Sequence, residues 1–173
     1  MEKLLGTELT EIGLRIRKAR KEKGLTQTEL GTEIGKSLRA VQMYEKGQTD
    51  LSIALLNDIA KALDVNTTDL IGYETPEVPA TTLSDALAML FRLSDLEDLK
   101  FDIEIRRPPH YDGWECSLTF NGKDEAKHNA DFCLALESFR DELADVESGR
   151  RTKEQYEQWK DEMLAYYSGS ILN

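Results

Sequence analysis

Alternating stop and start signals constrain the first seventy residues more than any other feature. Gly24, Gly35 and Gly47 are each followed within a few residues by a hydroxyl side chain, at Thr26, Ser37 and Ser52. Glycine ends a helix by entering the left-handed conformation, and Ser or Thr opens the next by accepting from a free backbone N–H. Residues 8–71 therefore read as a succession of short helices. Thr26 and Glu29 form a capping box, and Leu25 and Leu30 hold the two positions of a hydrophobic staple. Ile12, Ile16 and Ala19 give the first helix an apolar face, Leu30 and Ile34 the second, and Val41 and Tyr44 the third. Leu55, Leu56, Ile59, Ala60 and Leu63 give the fourth, and a fifth turn after Thr67 carries Leu70 and Ile71.

The grammar then changes. Residues 72–80 hold Pro76, Pro79 and two glutamates, with little that can pack, and read as a linker. Leu83, Leu87, Leu90 and Phe91 suggest a helix. Phe101, Ile103 and Ile105 alternate with charged residues as a half-buried strand, broken by Arg107-Pro108-Pro109. Trp114, Cys116, Leu118 and Phe120 alternate again, and Asn121-Gly122 closes that strand. Phe132, Leu136, Phe139, Leu143 and Val146 line a further helix that ends at Gly149. Thr152 and Gln155 form a second capping box, followed by Tyr156, Trp159, Met163 and Tyr167 at helical spacing. The expected organisation is a head at 1–71, a linker at 72–80 and an acidic α+β domain at 81–173, built as a helix, a β-hairpin and two helices. A two-stranded sheet is marginal in water, so helices must cover it or a second copy must complete it.

Charge divides the same way. The chain has 173 residues and a net charge of −11. Residues 1–73 hold equal numbers of basic and acidic side chains, so residues 74–173 carry the whole deficit. Inside the neutral half, Arg15, Arg17, Lys18, Arg20, Lys21 and Lys23 face only Glu22. Whole-chain charge argues against nucleic acid, but this distribution restores a basic patch to the first half. Six residues, Ala86 to Phe91, form the longest apolar run, too short to span a bilayer. The N-terminus lacks a signal peptide's apolar core. Two cysteines without a Cys-x-x-Cys fit a reducing compartment, and a cytoplasmic location is expected.

The segments Gly24-Leu25-Thr26-Gln27-Thr28-Glu29-Leu30, Ile34-Gly35-Lys36-Ser37 and Val41-Gln42-Met43-Tyr44-Glu45-Lys46-Gly47 carry more than helicity. Their order and spacing resemble the Cro and lambda-repressor (XRE-type) helix-turn-helix regulators, over about residues 8–71. The resemblance implies an all-α, five-helix, lambda-repressor-like DNA-binding domain whose third helix enters the major groove by its N-terminal turn. It places Gln27, Ser37, Leu38, Arg39 and Gln42 at base edges. Arg39 can bond guanine, Gln42 adenine, and Leu38 a thymine methyl. Thr26, at a helix N-terminus, joins Lys36, Met43, Lys46 and Gln48 at phosphates. Gln27 reads equally as a solvated helix start, and Arg39 can instead meet phosphate alone. Arg20 and Glu45 stand where the family often has an orienting ion pair, which if exposed contributes at most about 1 kcal/mol. Three positions depart from the pattern. Gly31 replaces a usual alanine, at roughly 1 kcal/mol of helix propensity. Lys36 replaces a common apolar turn residue. Asp50 and Leu51 follow Gly47 where basic residues and proline are frequent.

The second half resembles no family. His110, Cys116, His128 and Cys133 match no zinc spacing, and no metal or cofactor is expected. No nucleophile motif or phosphate-cradling loop suggests an enzyme. Nor does the second half have the all-strand character of the self-cleaving serine-lysine domain that some relatives carry. The leading expectation is a repressor that binds a double-stranded operator as a homodimer through residues 81–173. The alternative is a dual protein, antitoxin-like or anti-CRISPR-like, whose head regulates its own operon while the acidic half captures another protein.

Overall fold

The computed structural model describes residues 6–74, 81–107, 113, 115–123, 126–170 and 172. The elements run α1 (Gly6–Glu22), α2 (Gln27–Glu33), α3 (Leu38–Glu45), α4 (Ile53–Leu63), α5 (Thr67–Ile71), α6 (Leu83–Asp95), β1 (Phe101–Arg106), β2 (Glu115–Phe120), α7 (Asn129–Glu147) and α8 (Lys153–Tyr167). They fall into two compact units, Met1–Pro76 with Lys153–Gly169, and Glu77–Thr152 with Ser170–Asn173.

The first unit is built as the caps dictate. Thr26, Ser37 and Ser52 each accept from the backbone N–H three residues on, opening α2, α3 and α4. Thr26 and Glu29 complete their box, with the Thr26 N–H donating to Glu29 Oε2 at 2.7 Å. The apolar faces converge on one core of Ile12, Ile16, Leu30, Val41, Leu56, Ile59, Leu63 and Leu70. Leu51, assigned only to a loop on sequence, is also buried there. Two glycines permit the tightest approaches. A Cβ on Gly13 would sit 2.5 Å from the Tyr44 carbonyl oxygen, where α1 crosses α3. A Cβ on Gly31 would sit 2.7 Å from the Lys36 carbonyl oxygen. Gly31 is therefore required by the α2–α3 turn, and its propensity cost is offset by packing that alanine would disturb.

The expected partition placed α8 in the second domain. Instead it packs on α4 and α5 of the first unit. The physical reason is polar. Asp161 accepts from the Thr67 N–H at 2.7 Å, from the Thr68 N–H at 3.3 Å and from the Thr68 hydroxyl. Lys61 pairs with Glu162 at 3.0 Å. Ala165 is buried, whereas Tyr156, Trp159, Met163 and Tyr167, the expected stripe, are only half-buried.

In the second unit β1 and β2 pair antiparallel, Phe101 opposite Phe120 and Ile103 opposite Leu118. Asn129, fully buried at the start of α7, joins the hairpin to that helix. Its amide accepts from the Lys100 N–H and donates to the carbonyls of Lys100 and Asn121. Phe101, Phe120 and Phe132 stack in succession at 5.3 and 4.8 Å. Beyond this knot the apolar faces lie open. Leu99 and Asn129 are the buried residues among those described in this unit. Ile103, Ile105 and Leu118 on the sheet, Leu83, Leu87 and Phe91 on α6, and Leu136, Phe139 and Leu143 on α7 are all exposed. The stripe expected to form a core within α7 thus has little to pack against. Trp114, Pro108, Pro109 and residues 75–80 of the linker lie outside the described residues.

Candidate nucleic-acid interface

The exposed surface around α3 is set by a buried polar chain beneath it. Arg20 of α1 holds Glu45, the last residue of α3, through two contacts, Nε to Oε1 at 2.5 Å and Nη2 to Oε2 at 3.2 Å. Its third arm donates to the Leu25 carbonyl at 2.7 Å, fixing the α1–α2 turn. Glu45 Oε2 also accepts from Gln27 Nε2 at 2.7 Å, and Gln27 Oε1 accepts from Gln42 Nε2 at 3.5 Å. Both ions are buried, with Arg20 at 8% and Glu45 at 6% exposure. The limit of about 1 kcal/mol that would hold for an exposed pair therefore does not apply. A buried, fully bonded pair is costly to break from one side, because it leaves the other charge unpaired. It joins α1, α2 and α3 into one orientation.

The predicted readers fall into two groups. Leu38 and Arg39 are exposed on the first turn of α3, with Leu38 at 44%. Gln27 and Gln42 are half-buried and bonded to each other, and Gln27 is bonded to Glu45 as well, so their amides are held in place. Ser37 accepts the Ala40 N–H at 3.2 Å as the helix cap, which leaves its hydroxyl proton free to turn outward. Of the predicted phosphate contacts, Thr26, Lys36, Lys46 and Gln48 are exposed and Met43 is half-buried. Thr26 spends its hydroxyl oxygen on the Glu29 N–H. The Thr26 backbone N–H, then its side chain, holds the Glu29 carboxyl below its ordinary range.

The basic patch of α1 is narrower than the sequence suggests. Arg20 is buried, Arg15 donates to the Ile71 carbonyl at 3.2 Å, and Lys23 donates to the Ala62 carbonyl at 2.9 Å. Three of six cations thus serve the fold, two of them at the C-terminal ends of α5 and α4, where the helix dipole favours positive charge. Arg17, Lys18 and Lys21 remain exposed, and Lys18 lies 3.9 Å from Glu22. Among the described residues no group of His, Cys, Asp and Glu is placed to hold a metal ion. His128 Nδ1 sits 3.3 Å from Asp131, Cys133 donates to the Phe120 carbonyl, and Cys116 is exposed. His110 lies outside the described residues. No helix among them is long and apolar enough to cross a membrane.

Comparison with known proteins bears on the same segment. A family model for the helix-turn-helix, HTH_3, matches residues 16–70. Over 54 residues, 31% of this chain, the sequence is 43% identical to an uncharacterized HTH-type transcriptional regulator, y4wC, of Sinorhizobium fredii, covering 38% of that protein. It is also 43% identical over 54 residues to an uncharacterized transcriptional regulator in the ATPase CF(0) region of Rhodospirillum rubrum, covering 50% of it. The chain therefore spans half or less of the curated relatives it matches. Among solved structures, the restriction-modification controller protein C.AhdI from Aeromonas hydrophila is 32% identical, the match covering 38% of this chain and 94% of that one at a TM-score of 0.37. The clp gene regulator ClgR from C. glutamicum is 25% identical, covering 42% and 90%, at 0.38. Residues 16–70 thus carry a helix-turn-helix segment of the HTH_3 type.

Proposed function

We propose that this protein is a sequence-specific DNA-binding transcriptional regulator, a repressor that acts as a dimer in the cytoplasm. The observation that carries the reading is the buried Arg20–Glu45–Gln27–Gln42 chain beneath an exposed first turn of α3. A groove reader must be held rigidly, because base contacts tolerate little misplacement, and this chain locks α3 to α1 and α2. Gln27, Ser37, Leu38, Arg39 and Gln42 read base edges. Thr26, Lys36, Met43, Lys46 and Gln48 contact phosphates and set the register. Arg20 and Glu45 orient the helix. The regulators of Sinorhizobium fredii and Rhodospirillum rubrum, similar over this segment, support the transcriptional role.

Residues of the second unit supply the dimer contact in this reading. Its support is the open apolar surface of the hairpin, α6 and α7, which a marginal two-stranded sheet must cover to be stable. A second reading, antitoxin-like or anti-CRISPR-like, draws on the same surface together with the acidic charge of residues 74–173. In that reading the second half captures a basic protein while the head regulates its own operon.

Fluorescence anisotropy of the full chain on a duplex enriched from a random-sequence pool, beside scrambled duplex and across a salt series, tests the proposal. Preference for the enriched duplex with a steep salt slope is the expected result. Equal, weak binding to both duplexes overturns it and favours the second reading. Light scattering at the same concentrations reads the dimer, and a monomer throughout removes that part of the proposal.

A further inference from the structure

The family match ends at residue 70, yet the fold of the head does not. We propose that Asp161, in the C-terminal helix, is a positioning residue of the DNA-binding head, and that α8 is a strap whose docking sets DNA affinity. The inference rests on the reading that the head binds DNA.

Helix α5 needs an outside partner. It has only five residues, and Asn66, its N-cap residue, makes no side-chain cap bond despite having the extended backbone that capping requires. The first N–H groups of any helix lack internal acceptors, and here they belong to buried residues, Thr67 and Thr68. A carboxylate more than ninety residues away accepts both of them and the Thr68 hydroxyl. At the other end of α5, Arg15 of α1 holds the Ile71 carbonyl. Leu70, between the two clasps, is fully buried in the head core. The chain of contacts continues along α1 to Arg20, then to Glu45 and the two glutamines beneath the reading surface. Removing Asp161 therefore frees the N-terminal end of a short helix that packs on α1.

The docking of α8 is polar and shallow, as a strap requires. Ala165 is its one buried residue, and a groove of about 910 Å³ lies between it and α4–α5, bordered by Val65, Lys61, Lys160 and Leu164. Few buried apolar contacts mean a low local opening free energy. The segment joining α5 to α8 is the second unit itself, so the strap is connected to whatever that unit binds.

The test uses the full chain and four variants. Hydrogen exchange at the Thr67 and Thr68 amides reads the clasp without DNA, and anisotropy on the enriched duplex reads affinity. In Asp161→Ala both amides should lose about tenfold or more of protection, and affinity should fall about five- to tenfold, the range of a lost cap. Sequence preference and salt slope should stay unchanged, since no base or phosphate contact is removed. Asn66→Ala should change neither readout. Asp161→Ala combined with Asn66→Asp, which offers a local carboxylate to the Thr68 N–H but not to the Thr67 N–H, should restore protection at Thr68 and part of the affinity. Asp161→Asn, which keeps one acceptor, serves if the alanine variant unfolds, and should lie between it and wild type. Unchanged amide protection in Asp161→Ala overturns the clasp. Lost protection with unchanged affinity overturns the positioning role while leaving DNA binding intact. If the wild type enriches no duplex, the DNA-binding reading fails and the exchange data still judge the clasp.

Discussion

Both units open a helix with the same device and end in opposite states. Thr26 and Glu29 box the start of α2, and Thr82 and Asp85 box the start of α6. α2 then buries Leu30 and Gly31, whereas no residue of α6 is buried. Caps and periodicity specify that a helix forms and which face is apolar. They do not supply the surface that face must meet. In the head, five short helices present apolar faces toward one another, and the core closes with Leu56, Ile59 and Val41 at zero exposure. Among the described residues of the second unit, the apolar faces converge at the Asn129 knot and the Phe101–Phe120–Phe132 stack. One unit encloses its apolar faces, and the other leaves most of its described apolar side chains exposed.

The largest expected effect contrasts those cores. Val41→Asp buries an unpaired carboxylate at a fully enclosed position and should cost several kcal/mol, on the order of the head's whole stability. Ile103→Asp, at a side chain 63% exposed, should leave the head's thermal melt within about 0.5 kcal/mol. Circular dichroism melts of the two variants decide it. A Val41→Asp head that melts like wild type would mean that the register of α3 is misplaced.

The next effect contrasts ion pairs. Glu45→Ala leaves the buried Arg20 guanidinium without its carboxylate and should destabilise the head by about 3–5 kcal/mol. Arg140→Ala, which removes an exposed pair with Asp141, should change stability by less than about 1 kcal/mol. Chemical denaturation of both variants measures the ratio, and equal costs would show that the Arg20 pair is not enclosed.

A smaller effect separates readers from anchors within the head. Arg39→Ala should cost about 1–3 kcal/mol on the enriched duplex and relax preference at one base pair. Lys46→Ala should weaken all duplexes alike and reduce the salt slope by about one. If Arg39→Ala also weakens scrambled duplex equally, Arg39 is a phosphate contact.

The sequence made the head's helices legible because each carries its own start, stop and apolar spacing within a dozen residues. It also placed Ser37, Leu38, Arg39 and Gln42 on α3 and its cap, with Gln27 at the start of α2. The burial of Arg20 and Glu45 was not legible, because exposure depends on how α1 crosses α3 at Gly13, a relation between distant segments. Gly31 looked like a weakness for the same reason. The role of Asp161 left no local signal, since its partners lie more than ninety residues away and nothing around it marks a cap. In the second unit, alternation correctly named Ile103, Ile105 and Leu118 as one face. Alternation cannot name what covers a face, and among the described residues α7 meets the hairpin at one end, through Asn129, Phe132 and Cys133.

The smallest effect returns to the shared device. Thr26, by its backbone N–H and then its side chain, holds the Glu29 carboxyl below its ordinary range. Thr82, by its side chain and then its backbone, does the same for Asp85. A carboxyl whose folded value is lowered stabilises the fold above its unfolded value, and that contribution is lost as pH falls through the folded one. The head's melting temperature in wild type should therefore exceed that of Glu29→Gln at neutral pH, and the gap should close as the solution is acidified below the carboxylate range. Asp85→Asn should leave the head's melt unchanged at every pH, because α6 buries nothing in it. A gap for Glu29→Gln that persists unchanged at low pH would show that the side chain acts through packing. A matching gap for Asp85→Asn would show that the two units melt as one, which would erase the contrast between a unit with a closed core and one whose described apolar faces lie exposed.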